Sequence, residues 1–200
     1  MKLPFRTVSD QGCTKNFEKL ERTVDSEPVT SLPTTDLYVG RRIVYVADSA
    51  NGVHWDLVLT DPNATYPWKY LGGPPLRHTV DANETRANTA YGDLATVGPS
   101  LTLPTLAGDF DVHIGCRTIA DAAAAFEGWM SYSINGGAAS DANACSSVSS
   151  GQYDGGSIHM RRRLTGLTAS SAFVCKYRTQ VASLYHWANR YIEITPIRVG

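Results

Sequence analysis

The sequence predicts a mainly β protein: a short N-terminal α-helix, a small three-stranded β module, and a C-terminal β-sandwich or jelly roll. Three observations carry that prediction. Apolar residues alternate with polar ones at period 2 over several short runs, as in Val53, Trp55, Leu57 and Leu59. Turn signals recur between the runs, among them Asn51-Gly52, Asp61-Pro62-Asn63 and Asn135-Gly136-Gly137. Beyond the first 30 residues, no stretch keeps the 3.6-residue period of a long helix, and many short strands without helices pack as two sheets.

Taken in order, Ser9 or Asp10 caps a helix whose apolar stripe is Cys13, Phe17, Leu20 and Val24, spaced by four, three and four. That is a heptad-like seam, with Lys15, Glu18, Lys19, Glu21 and Arg22 on the other faces. Such a helix either lies on a domain or bundles with identical chains. At about 15 residues it is marginal alone and must bury its stripe. Pro28 and Pro33 end it and make Glu27 to Asp36 a linker. Residues 1–36 are thus an anchor and linker.

Residues 37–76 are the small module. Ile43 to Val46 forms its first strand, Val53 to Leu59 the second and Trp68 to Leu71 the third. Gly72-Gly73-Pro74-Pro75 closes it, because proline cannot continue a sheet ladder.

Residues 77–200 are the head. Leu76 to Val80 reads as a short strand, followed by polar loop with a turn of helix near Tyr91 to Thr96. Phe110, Val112, Ile114 and Cys116 share one strand face, and Asp109, Asp111, His113 and Arg117 the other. Trp129 to Asn135 is another strand. A Gly- and Ser-rich surface loop runs from Ala138 to Gly156, and Ser157–Leu164, Ala172–Gln180 and Arg190–Arg198 complete the set.

Composition narrows the function. A net charge of −1 and a pI near 6.5 argue against an electrostatic nucleic-acid binder. No apolar run reaches the roughly 20 residues that cross a bilayer, so no membrane insertion is expected. The N-terminus lacks the apolar segment of a secretory signal. Cys13, Cys116, Cys145 and Cys175 form no C-x-x-C pair, so zinc is not expected, and Cys116 and Cys175 read as buried thiols rather than a disulfide.

Catalytic motifs for serine hydrolysis, nucleotide binding or zinc proteolysis are absent, and the five histidines are scattered. No catalytic residue, cofactor or metal is therefore expected. Asp109 and Asp111 put two carboxylates on one face, which a glycosidase or calcium site would use, but the plainer reading is a solvated strand face. Arg161-Arg162-Arg163 is the one basic cluster, and pairing to acids across a sheet or a subunit boundary is its expected use. Trp55, Trp68, Trp129 and Trp187 read as core or interface residues before sugar platforms.

The stretches QGCTKNFEKLE (Gln11 to Glu21), IVYVADSANGVHWDLVL, PWKYLGGPPL, LTLPTLAGDFDVHIG and the ending YIEITPIRVG together resemble tailed-bacteriophage minor structural proteins of the tail-fibre or head-fibre type. The resemblance implies a homotrimer in the virion, assembled in the bacterial host cytoplasm. It implies an anchor on other capsid or tail proteins through the seam Cys13, Phe17, Leu20 and Val24. A β head would then face a host surface glycan or protein. The competing expectations are a capsid decoration protein and a secreted carbohydrate-binding or hydrolytic β-sandwich.

Overall fold

Alternation becomes strand wherever the sequence shows it, and several polar stretches become strand as well. The computed structural model describes residues 28–121 and 126–200. The expected helix and its seam, Cys13, Phe17, Leu20 and Val24, lie outside the described residues. The chain divides into two compact units between Gly73 and Pro74.

The first unit carries β1 (Pro28–Val29), β2 (Arg42–Asp48), β3 (Val53–Leu59) and β4 (Trp68–Gly72), hydrogen-bonded in that order. The β2–β3 hairpin turns at the expected Asn51-Gly52, where the Asp48 carboxylate accepts from the Ala50 and Asn51 amides and the Asn51 side chain. Val53, Trp55, Leu57 and Leu59 are all buried, as period 2 requires. Tyr45 and Trp55 sit directly opposite and stack at 6.3 Å. One expectation is corrected here: the start of the linker, Pro28–Val29, pairs in parallel with Val44 and Tyr45 as a fourth strand.

The second unit is a two-sheet β-sandwich. Its strands are β5 (Leu76–Val80), β6 (Glu84–Arg86), β7 (Ser100–Thr102), β8 (Gly108–Ala120), β9 (Phe126–Ile134), β10 (Cys145–Ser149), β11 (Gly155–Leu167), β12 (Ala172–Thr179) and β13 (Tyr185–Val199). In the first sheet β5 and β6 run along one side of β13, β8 pairs with its other side, and β11 pairs with β8. In the second sheet the order is β10-β9-β12-β7, and all pairs in this unit are antiparallel. Phe110, Val112, Ile114, Ile192, Ile194 and Trp187 from one sheet and Met130, Tyr132, Phe173 and Tyr177 from the other make the core. Removing a side chain such as Trp187 costs about 3–5 kcal/mol at a site this closed. A Cβ on Gly128 would collide with the Tyr185 ring, so only glycine lets that aromatic cross between the sheets.

Three expectations for the head are corrected. Tyr91 to Thr96 forms no helical turn; it is irregular chain tied to β12 by paired hydrogen bonds between Gly92 and Tyr177. The loop from Ala138 to Gly156 contains β10 and a short 3-10 turn at Asp141–Asn143. Glu84–Arg86 is strand rather than loop. Each is too short or too polar to announce itself by periodicity, and each is fixed by pairing to a distant neighbour.

Candidate functional site

The outer face of the first sheet concentrates the charged and aromatic side chains, and strand register sets them out as a grid. Arg77 stands opposite Glu193, Glu193 opposite His113, and His113 opposite Arg161, one residue from each of four strands. Two residues along, Thr79, Tyr191, Gly115 and His159 form the adjacent row, and Thr195, Asp111 and Arg163 the row on the other side. Period 2 dictates this: residues i and i+2 of every strand share a face.

The side chains bond along and between rows. Arg77 pairs with Glu193 at 3.2 Å, and the His113 ring lies 3.3 Å from the other Glu193 oxygen. Nε2 of His113 is 3.1 Å from the Tyr191 hydroxyl, and the His113 and His159 rings meet edge to face at 5.7 Å. Tyr191 lies across Gly115, where an added Cβ would come within 2.6 Å of the ring. Partial burial and the Glu193 charge push the Tyr191 phenol above its ordinary range, so it stays a hydroxyl donor.

Asp109 and Asp111 are not the solvated carboxylates expected. Asp111 accepts from Arg161 at 2.6 Å and lies 3.5 Å from Arg163; Asp109 accepts from Arg198 and from the Gly166 amide. The expected acid pairing of Arg161 and Arg163 thus occurs across the sheet. Arg162 points the other way and donates to the Ala142 carbonyl. The carboxylates are recessed, with Asp109, Asp111 and Glu193 side chains 6, 13 and 22% exposed. The guanidinium groups of Arg77, Arg161, Arg163 and Arg198 project above them at 58–66%. A partner approaching this face meets arginine first.

The outer face of the second sheet is roofed by the chain itself. Arg178 lies 3.7 Å from the centre of the Trp129 ring and 5.4 Å from that of Tyr91. It also donates two bonds to Asp141 at 2.9 and 2.7 Å, and the Tyr91 hydroxyl donates to the same carboxylate. These bonds hold the Asp141 carboxyl below its ordinary range. Ser131 donates to the Ser140 and Asn143 carbonyls, and Lys176 pairs with Asp93 at 2.7 Å. Trp129 is therefore covered by an arginine, and Trp55, Trp68 and Trp187 are core.

Inside the sandwich, Arg190 is fully buried and pairs with Glu84 at 2.7 Å. Burial alone would raise the Glu84 carboxyl, but hydrogen bonds from Thr96 and the Arg190 charge bring it below its ordinary value. Cys116, Cys145 and Cys175 are free and buried, and burial pushes the Cys145 thiol up to about 12. Among the described residues no group of three or more His, Cys, Asp and Glu side chains is placed to hold a metal. No helix among them is long and apolar enough to cross a membrane.

The grid was only partly legible. Parity put Asp109, Asp111 and His113 on one face of β8. Glu193, Tyr191 and His159 were not recognised as their neighbours, because the pairings that join them span 44 to 80 residues and follow from strand order.

No protein family matches the chain, and no curated protein matches it. Solved structures do. Eiger TNF from S. frugiperda aligns at TM-score 0.43 and 9% identity over 62% of this chain and 93% of that one. Dimeric latent PorU from Porphyromonas gingivalis aligns at 0.35 and 11% over 62% of this chain and 13% of its own. The infectious bursal disease virus Gx strain structure aligns at 0.36 and 7% over 74% of this chain and 44% of that one.

Proposed function

We propose that this chain is a structural component of a bacteriophage virion, a trimeric fibre or surface protein anchored by its N-terminus and presenting a β head for host adhesion. The observation that carries the reading is the strand order of residues 74–200. Sheets ordered β5/β6-β13-β8-β11 and β10-β9-β12-β7, with connections passing repeatedly between them, follow the jelly-roll scheme. That scheme serves viral shells and lectin-like heads, where a rigid scaffold holds surface loops. The phage-like sequence stretches at both ends of the chain support the same reading.

In this reading the head binds and does not catalyse, and it needs neither cofactor nor metal. The paired acids of the open face are anchors for arginines, and the melting temperature is expected to be unchanged by EDTA. The seam Cys13, Phe17, Leu20 and Val24 joins sister chains and seats them on capsid or tail. Immunogold labelling of purified particles is the test, with Phe17→Asp plus Leu20→Asp expected to remove the label while leaving the soluble head folded. Absence of wild-type label from the particles would sink the proposal. Labelling spread over the capsid, with host attachment unaffected by loss of the protein, would favour decoration over adhesion.

A further inference from the structure

The first sheet's outer face carries the exposed arginines Arg77, Arg161 and Arg163, with side chains 58–66% exposed. Its charges are prepared for burial: each carboxylate already has a guanidinium partner, which lowers the cost of removing both from water. The projecting arginines keep unspent donors, since each guanidinium carries five and Arg77, Arg161 and Arg163 use few.

The complementary surface lies in the same chain. From Thr118 through Met160 the sequence contains no lysine or arginine but four carboxylates, and with Asp141 taken by Arg178 this leaves Asp121, Glu127 and Asp154. This stretch includes β10, the outermost strand of the second sheet, and the turn that leads into β11. Val148 on that strand and Tyr153 in that turn are among the most exposed large apolar side chains, at 63 and 73%. An exposed aromatic beside carboxylates suits docking on an arginine-bearing face.

We propose that copies of this chain associate head to head through these two patches, the β10 edge with Val148 and Tyr153 of one copy seating on the Arg77–Glu193–His113–Arg161 face of the next. The patches differ, so the contact is heterologous and closes as a ring when the rotation permits. Three members is the number the fibre reading supplies, and the inference rests on that reading.

Native mass spectrometry of the full chain tests it. The wild type is expected at three times 21.7 kDa. Tyr153→Asp, on an exposed side chain whose positive φ of 62° aspartate tolerates, alters only the edge. Arg161→Glu with Arg163→Glu alters only the face. Made in a Phe17→Asp, Leu20→Asp background, so that the N-terminal seam does not hold the copies together, each variant is expected to dissociate at micromolar concentration, weakened at least tenfold relative to that background, with a cooperative melt retained. Mixed together they should form one-to-one dimers, because one intact edge and one intact face remain between them. If both variants stay trimeric, the heads do not meet this way, although the trimeric reading stands. A monomeric wild type overturns the inference and that reading together. A face variant that stays trimeric but loses retention on a heparin column would assign the face to a polyanion instead.

Discussion

The two outer faces of the sandwich use the same chemistry to opposite ends. On the second sheet Arg178, Trp129 and Tyr91 stack on one another, and the exposed Asp141 carboxylate ties Arg178 and Tyr91 to the chain's own loop. On the first, arginines, a tyrosine, two histidines and recessed carboxylates lie uncovered. A charged and aromatic cluster is therefore not by itself a binding site. What separates stability from recognition is whether the chain spends the cluster on itself.

The largest consequence is for Arg178. Arg178→Ala removes a cation–π stack and a bidentate carboxylate bond together, and leaves Asp141 with the Tyr91 hydroxyl alone. The Asp141 end of the pair is exposed, so its bonds contribute about 1 kcal/mol or less, and the close stack about 2. A loss of about 2 kcal/mol is expected in chemical denaturation. The oligomer mass of the refolded protein should not change. A loss below about 1 kcal/mol would mean that the roof is held by its backbone bonds alone.

The sequence made one face of this comparison more legible than the other. Strong alternation located β3, β8 and most of β11, β12 and β13, and parity placed Asp109, Asp111 and His113 together. The roof could not be read. Arg178 and Asp141 are 37 residues apart and Lys176 and Asp93 are 83 apart, and the segments brought onto β12 are polar and aperiodic. Strands β6 and β10 were missed for a related reason. With three to five residues and mixed polarity, they exist through their partners rather than through a pattern of their own. Local period reports which side of a strand is buried, whereas cover over an outer face depends on contacts between remote segments.

Acid sharpens the comparison at intermediate effect. Asp141 is held below its ordinary value in the folded chain, first by the Arg178 bond and then by Tyr91. A carboxyl depressed on folding contributes stability that is present above its unfolded pKa, about 3.9, and lost as pH falls through the lower folded value. Below about pH 4 the roof should therefore loosen. Hydrogen exchange at residues 136–144 should rise there, and Asp141→Asn should show the faster exchange already at neutral pH. Glu84, also depressed, adds an acid-sensitive contribution within the core, so Glu84→Gln should shift the acid limb of global unfolding without affecting that loop selectively. Loosening of residues 136–144 unchanged between pH 7 and pH 3 would count against the bond to Asp141 as the roof's fastening.

The smallest expected effect on stability falls on the open face, at Gly115. An added Cβ would meet the Tyr191 ring at 2.6 Å, but the ring lies on the surface and can swing away. Gly115→Ala is therefore expected to cost less than about 1 kcal/mol, since the strand loses no core contact and alanine is no worse than glycine in an extended segment. Its effect on the grid should be larger than its effect on the fold. Displaced, Tyr191 can no longer reach Nε2 of His113, 3.1 Å away, and the ring would stand up from a face that is otherwise flat. Two measurements separate these outcomes. Thermal melting should be nearly unchanged, while the His113 ring signals in NMR should move and association of heads in native mass spectrometry should weaken. At the roof the order reverses, with Arg178→Ala moving the melt and sparing association. If Gly115→Ala leaves both the His113 ring signals and association as they were, the packing of Tyr191 on Gly115 is a detail of strand fit, and the open face owes nothing to it.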